Sequence, residues 1–207
     1  MDRVFFVDFD GTITKKDIAC AIVEEFAEPG WMEVEERWRR KEISTEECAV
    51  QIFEFVRAGE EEILSFINKV VIDEYFIPFV DLCMKNGYDV KIVSDGYDFY
   101  IKNILKKYDL NLEVFCNRMY YDNGWKFEFP LKNGCGLCGN CKRNIIKQYK
   151  KDRKEIIYIG DGYSDICPIE EADLVFAKGF LFRYCKEKGI KCFPFENFKD
   201  IIAKIFC

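Results

Sequence analysis

The sequence predicts an α/β fold: a Rossmann-like, doubly wound parallel sheet with a small α-helical cap inserted after the first strand. Three observations carry that expectation. The runs Val4–Val7, Val90–Val93 and Ile156–Ile159 are rich in β-branched and aromatic residues without polar alternation, as strands buried on both faces are. Stretches with helical spacing of apolar residues alternate with them through short connections, which gives a parallel sheet with helices on both faces. Between the first strand and the second, residues 15–75 show helical spacing throughout. The expected organisation is therefore a core made of residues 1–14 and 76–207, with 15–75 as a helical cap beside the first strand end.

The elements follow in order. The first strand begins at once and ends at Asp8-Phe9-Asp10-Gly11-Thr12. Asp17 to Phe26 has helical spacing, Pro29-Gly30 breaks it, and Trp31 to Arg40 resumes it with mixed charges. Ser44, followed three residues later by Glu47, fits a capping box, and Cys48, Ile52, Phe53 and Val56 share one face of the helix it opens. Glu60 to Val71 forms another amphipathic helix after Gly59. A helix from Pro78 to Asn86 takes Gly87 as its C-cap, and the strand Val90–Val93 then ends in Ser94-Asp95-Gly96. Tyr97 to Lys107 is helical, and Met119 to Phe129 alternates about Asp122-Asn123-Gly124, a hairpin signal expected at the sheet edge. A helix from Lys142 to Lys151 leads into the strand Ile156–Ile159, which ends in Gly160-Asp161-Gly162-Tyr163-Ser164-Asp165. Weaker strands follow near Leu174–Ala177 and Cys192–Phe193.

Composition narrows the function classes. The net charge of −6, with Lys and Arg scattered along the chain, argues against nucleic acid as a partner. No apolar stretch approaches the ~20 residues of a membrane span, and the chain enters a strand with no room for a signal peptide. The expectation is a cytoplasmic protein without a membrane partner, a monomer or a homodimer. Eleven cysteines, an odd count without an export signal, read as mostly reduced thiols. Histidine is absent, which removes the commonest general base and every Ser-His or Cys-His pair. Acid–base chemistry falls to carboxylates, Lys, Tyr or Cys.

In an open α/β sheet, ligands bind at the carboxyl ends of the strands. Asp8 and Asp10 emerge there one residue apart. Two such acids raise each other's proton affinity unless a cation neutralises them, which points either to a bound metal or to one protonated partner. Ser94 with Gly96, and Asp161 with Asp165, end two other strands. An isolated Asp-x-Asp, Ser-Asp-Gly or Gly-Asp-Gly is commonly an ordinary turn, and a single Lys is commonly a surface residue. Their occurrence in this order, each after a buried strand, is far less ordinary.

That order resembles the haloacid dehalogenase superfamily. Its phosphatases carry Asp-x-Asp-Gly-Thr on the first strand, Ser or Thr on the second, a Lys, and Gly-Asp-x-x-x-Asp on the fourth. Here the matching residues are Asp8, Asp10, Gly11 and Thr12, then Ser94, then Lys142, with Lys147 further along the same helix, then Gly160, Asp161 and Asp165. The resemblance implies that Asp8 is a nucleophile taking the phosphoryl group from a small-molecule phosphate ester, and that Asp10 moves the proton. It implies Mg²⁺ held by Asp8, the backbone of Asp10 and Asp161, with Asp165 behind them. Gly11, Ser94, Asp95, Gly96 and Lys142 would hold the phosphate.

The segments Phe26 to Met32, Ile43 to Glu47, Cys116-Asn117 and Phe176-Ala177-Lys178 extend the likeness to one subgroup. They resemble the methionine-salvage phosphatases acting on 2-hydroxy-3-keto-5-methylthiopentenyl-1-phosphate, whose relatives act on phosphoserine and on phosphoethanolamine or phosphocholine. One departure stands out: Ser94-Asp95-Gly96 replaces the expected Ser-Gly-Gly. An inward Asp95 would favour a cationic substrate, whereas an outward one would be neutral in effect; Trp31, Trp38 and Phe53 could cage an ammonium, pack against a methylthio group, or simply form the core of the cap.

Cys135, Cys138 and Cys141 precede Lys142 in a glycine-rich loop. Their spacing lacks the fourth Cys of a ferredoxin-type run. With Cys116 as fourth ligand, a structural Zn²⁺ is one expectation; a disulfide and plain packing thiols are the others. A metal or redox-binding protein with a relict active site is the rival function from another class, and a phosphoryl transferase or mutase would use the same residues with a different acceptor.

Overall fold

The structure is a computed structural model and describes residues 2–131, 139–152 and 154–206. A seven-stranded sheet runs β4-β3-β2-β1-β5-β6-β7. Its strands are β1 (Arg3–Val7), β2 (Asp89–Tyr97), β3 (Glu113–Tyr121), β4 (Trp125–Glu128), β5 (Glu155–Gly160), β6 (Leu174–Ala177) and β7 (Phe193–Pro194). All neighbours are parallel except β3 and β4, the hairpin at the edge. The chain leaves β1 toward β2 on one side and returns to β5 on the other, so β1 is the point where the winding reverses, the place where such sheets open a crevice.

Alternate residues of β1 serve opposite faces. Phe5 and Val7 join one core with Phe79 and Val80 of α5 (Phe76–Lys85), Ile101 and Ile104 of α6 (Asp98–Lys107), and Phe198 and Ile201 of α9 (Phe198–Phe206). Val4 and Phe6 join the other with Ile145 and Ile146 of α7 (Lys142–Tyr149) and Leu181 and Cys185 of α8 (Gly179–Lys188). β1 is thus covered on both faces, as is β5, which is why their sequences show no polar alternation, whereas the edge strands β4 and β7 are partly exposed.

Residues 15–75 carry α1 (Ile18–Phe26), α2 (Trp31–Arg39), α3 (Thr45–Phe53) and α4 (Glu60–Ile67). The expected capping box opens α3: Ser44 Oγ accepts from Glu47 N–H at 3.1 Å and Glu47 returns a bond to Ser44 N–H at 2.8 Å. The segment enters and leaves through adjacent backbone, where Thr14 bridges Ile72 antiparallel. Its buried side chains, among them Ile22, Phe53 and Ile63, run without a break into the cluster of Phe5 and Phe79.

Several elements differ from expectation. The helix predicted from Pro78 starts at Phe76, since proline is tolerated in a first helical turn. Gly87 follows the helix with φ +71°, and its N–H and that of Tyr88 return to Met84 and Cys83. β2 does not stop at Val93 but continues through Ser94-Asp95-Gly96 to Tyr97, with a bulge between Val93 and Tyr97. The first half of β3, which pairs with β2, lies before the hairpin signal at Met119, and α8 and α9 follow strands too weak to announce them. No helix among the described residues is long and apolar enough to cross a membrane.

One buried charge ties α7 down. Glu171, 7% exposed at the end of a short helical turn (Pro168–Glu171), accepts from Arg143 at 2.8 Å and from Lys150, at 2.6 Å, with Lys147 at 3.6 Å. Hydrogen bonds from Lys150 and Arg143 hold its carboxyl down at about 2, against an ordinary 4.5. A carboxyl lowered on folding contributes stability above its unfolded pKa and loses it as the pH falls toward the folded one. Because its partners are partly exposed, Glu171→Gln is expected to cost only about 1 kcal/mol at neutral pH. In denaturation curves the gap between wild type and variant should close as the pH falls from about 5 to 2 and shrink in high salt.

Candidate active site

The carboxyl ends of β1 and β5 lie level with the middle of β2. Val7 is in register with Ile92 and with Ile159, and Asp8 N–H donates to Ile159 O at 2.9 Å. Immediately beyond these positions come Asp8, Ser94 and Asp161, which all line one cleft of about 540 Å³. Its other wall comes from the helical segment: Lys15, Lys16, Asp17, Ala19, Trp38 and Thr45.

After Asp8 the chain makes a single wide turn, closed by Thr14 N–H to Phe9 O at 3.0 Å. Gly11 sits in it at φ +77°, and a Cβ there would lie 2.5 Å from Asp161 Oδ2. Glycine therefore lets the turn press against the end of β5. Thr12 uses the same approach: its hydroxyl donates to Asp161 Oδ1 at 2.8 Å, while the Lys178 ammonium donates to Thr12 O at 3.3 Å.

Lys142, 2% exposed, closes the floor. Its ammonium donates to Asp8 Oδ1 and Asp165 Oδ1, each at 2.7 Å, and to Ser164 Oγ at 3.0 Å. Burial works to neutralise it, but Asp165 and Asp8 overcome that and hold it above its ordinary pKa. Lys147 faces Glu171 instead and stands away from the cleft. Asp165 has every hydrogen-bonding position engaged, since Tyr158 donates to Oδ1 at 2.6 Å and the amides of Asp161 and Gly162 donate to Oδ2 at 2.9 Å.

The two acids of the first strand end part company. Burial raises Asp8 well above the usual carboxylate range, helped by Asp165 and opposed by Lys142. Burial also raises Asp10 to about 7, with Asp17 next in effect. The neighbours acting most on each are thus Asp165 and Asp17; the pair does not chiefly perturb itself, because the carboxyls diverge. Asp10 Oδ1 accepts from Ile18 N–H at 2.9 Å, and its Oδ2 accepts from the Tyr100 hydroxyl at 2.8 Å and, more weakly, from the Ser94 hydroxyl at 3.4 Å. Ser94 Oγ in turn accepts Gly96 N–H at 2.9 Å.

A model of the Putative Phosphatase family matches residues 3–185. The chain belongs to this family. Among its relatives is the 2-hydroxy-3-keto-5-methylthiopentenyl-1-phosphate phosphatase of Bacillus cereus, 34% identical over 202 residues, 95% of this chain and 92% of that one. Another, from Brevibacillus brevis and of the same name, is 33% identical over 207 residues, 96% and 93% of the two chains. The fold is that of a phosphoserine phosphatase solved with an analogue of its phospho-aspartyl intermediate, at TM-score 0.73 and 19% identity over 99% of both chains. A haloacid dehalogenase family hydrolase from Salmonella enterica serovar Typhi superposes at TM-score 0.77 and 15% identity, over 98% of this chain and 70% of that one.

Asp95, the departure from Ser-Gly-Gly, lines the cleft of this Putative Phosphatase member, but its Oδ1 accepts Asn140 N–H at 2.7 Å. Asn140 also donates to Ser94 O and Phe115 O, at 2.8 and 2.9 Å, so it joins β2 and β3 to the residues just before Lys142. Asn140, Tyr158 and Tyr100 did not stand out in the sequence, because none belongs to a short motif, and Ser164 fills one of the unspecified positions of Gly-Asp-x-x-x-Asp; each is reached only through the fold.

Two of the alternatives the sequence left open find no support in this phosphatase, the substrate cage giving way to the reading of these aromatic residues as cap core. Of the three aromatic residues placed in a substrate cage, Phe53 packs on Tyr97, Trp125 and Phe127, and Trp31 lies against the same core. Helical amphipathicity turned them inward, and Trp38 alone of the three lines the cleft. The zinc expectation finds no support. Cys135 and Cys138 lie outside the described residues. Cys116 is buried in β3, where burial pushes its thiol up to about 12, and Cys141 precedes α7 as a free thiol. Among the described residues, the group of three acidic or thiol ligands within reach of one ion is Asp8, Asp161 and Asp165.

Proposed function

We propose that this phosphatase hydrolyses 2-hydroxy-3-keto-5-methylthiopentenyl-1-phosphate through a phosphorylated Asp8. The observation that supports the chemistry is Lys142 buried against Asp8 at the floor of a cleft that Asp10, Ser94 and Asp161 also line. The identity of over 30% to named phosphatases of this substrate, across nearly the whole chain, supports the choice of ester.

Mg²⁺ suits the residues present. The donor set is all oxygen, as a hard cation requires, and its hydrogen bonds fall on Oδ1 of Asp8 and Oδ1 of Asp161. Oδ2 of each accepts none among the described residues. These two carboxylates would hold the ion together with the backbone carbonyl of Asp10, while Asp165, already engaged by Lys142, Tyr158 and two amides, would orient them from behind. Bound there, Mg²⁺ supplies positive charge that keeps Asp8 ionised and offsets the charge of the phosphoryl group.

Asp8 then attacks phosphorus as the ester bond breaks, and Asp10 gives its proton to the departing oxygen. In the second step water attacks the same phosphorus, Asp10 takes its proton back, and the bond to Asp8 breaks to release phosphate. A carboxyl raised to about 7 suits both roles at neutral pH. Ser94, the backbone of Gly11, Asp95 and Gly96, and Lys142 hold phosphoryl oxygens. Residues 15–75 act as the cap that covers the ester.

The engagement of Asp95 with Asn140, and the presence of Lys15 and Lys16 at the cleft, weigh against an ammonium-bearing substrate such as phosphoethanolamine. We place the enzyme in the cytoplasm, as a monomer or homodimer. The test compares kcat/KM for the salvage phosphate with phosphoserine, phosphoethanolamine and phosphocholine. A preference of about a hundredfold or more is expected, lost with EDTA and restored by Mg²⁺. Equal, weak rates on all four would overturn the substrate assignment.

A further inference from the structure

Asp10 can deliver a proton only if one edge of its carboxyl faces the departing oxygen. Both of its oxygens are held: Oδ1 by Ile18 N–H at 2.9 Å and Oδ2 by the phenol of Tyr100 at 2.8 Å. The backbone amide comes from the next turn of chain, but the phenol comes from α6, 90 residues further on. Its ring is fully buried, with the rings of Phe9 and Tyr97 at 6.3 and 6.2 Å, so it has no room to swing aside.

Gly96 makes the meeting possible. A Cβ on it would lie 2.0 Å from Tyr100 Oη and 2.5 Å from Asp10 Oδ2, so no side chain fits between strand end, phenol and carboxyl. The sequence marked Gly96 for phosphate binding alone. The geometry adds a second reason for glycine at that position, namely space for a hydroxyl reaching over β2.

We propose that Tyr100 is a positioning residue for proton transfer by Asp10, its hydroxyl fixing the rotation of the carboxyl so that the lone pair of Oδ2 facing Ser94, which holds only the longer 3.4 Å bond from the Ser94 hydroxyl, presents the proton once that rotatable hydroxyl turns aside. This rests on the reading of Asp10 as the acid. Tyr100 keeps its own proton throughout. As the P–O bond breaks, its electron pair stays on the departing oxygen and forms the new O–H bond with the proton of Asp10; the attacking water later returns a proton to Asp10.

Leaving-group dependence tests the assignment. An alkyl phosphate such as glycerol phosphate needs a proton on its leaving oxygen, whereas p-nitrophenyl phosphate releases a stabilised anion. The ratio of kcat/KM for the two, which reports the step that expels the leaving group, is measured with Mg²⁺ for wild type, Tyr100→Phe and Asp10→Asn. Tyr100→Phe keeps the ring, and is expected to lose about tenfold more on the alkyl than on the aryl ester; Asp10→Asn should show the same bias more steeply. Equal losses on both esters for Tyr100→Phe, or no loss, beside a biased Asp10→Asn overturn the role of Tyr100 alone. An unbiased Asp10→Asn overturns the acid assignment, and the role of Tyr100 with it.

Discussion

Asp8→Asn is expected to abolish turnover, with kcat falling roughly 10⁴-fold or more on any phosphate ester. The substitution preserves shape but removes the group proposed to react, because a neutral amide neither attacks phosphorus nor carries a phosphoryl group that water can displace. It also withdraws the partner of Lys142, whose ammonium lies 2.7 Å from Asp8 Oδ1, and one of the two carboxylates proposed to hold the metal. Three functions converge on one side chain, so little residual catalysis is expected from the rest of the cleft. Acid quenching during turnover followed by mass spectrometry should find a phosphoryl adduct on the peptide holding Asp8 in wild type and none in the variant. Turnover within tenfold of wild type would mean that a different residue, or water directly, attacks phosphorus.

How much of this was legible beforehand differs between the parts of the molecule. The buried strands could be read because a strand covered on both faces has no polar positions to confuse it, and β1, β2 and β5 all emerged with their ends near Asp8, Ser94 and Asp161. The continuation of β2 through Ser94-Asp95-Gly96 could not, since a glycine and an acid inside a strand look like its end, and the bulge that accommodates them is set by pairing with β3. Motif residues were visible because their chemistry repeats at short spacing. Their supports were not: Tyr158 and Tyr100 read as core aromatics, and in area they are, yet each spends its hydroxyl on a carboxylate of the cleft. Asp95 shows the limit of reading a side chain from its position. Its placement beside Ser94 left open both a harmless outward side chain and selectivity by charge, while its hydrogen bond from Asn140 N–H gives it the work of joining β2 to the start of α7. The cap aromatics meet the same limit, since helical spacing tells that a face is buried and not whether core or ligand covers it, and here core covers Phe53 and Trp31.

Lys142→Met is expected to separate the two uses of a positive charge in this cleft. With the ammonium gone, Asp8 loses its hydrogen-bond donor and Asp165 loses one of four, though Tyr158 and the amides of Asp161 and Gly162 still serve it. Removing one partner of a buried ionic group leaves an uncompensated charge, which costs about 3–5 kcal/mol and should lower the thermal midpoint by many degrees in metal-free buffer. The uncompensated charge then falls mainly on Asp8. A divalent cation held by Asp8 and Asp161 neutralises that same carboxylate, so Mg²⁺ should raise the stability of the variant more than that of wild type, by the mass action of a ligand that binds the folded state alone. Catalysis should not recover with it. Lys142 is proposed to face the transferred phosphoryl group, and a point charge aimed at the developing negative charge is worth roughly 10²–10³ in kcat, which a cation held by Asp8 and Asp161 would not replace. The measurement is a melting curve and a kcat for each protein, with and without Mg²⁺. Stability restored without activity assigns Lys142 to the transition state as well as to the fold; a variant as stable as wild type without metal would show that Lys142 does not balance the charge of Asp8 at all.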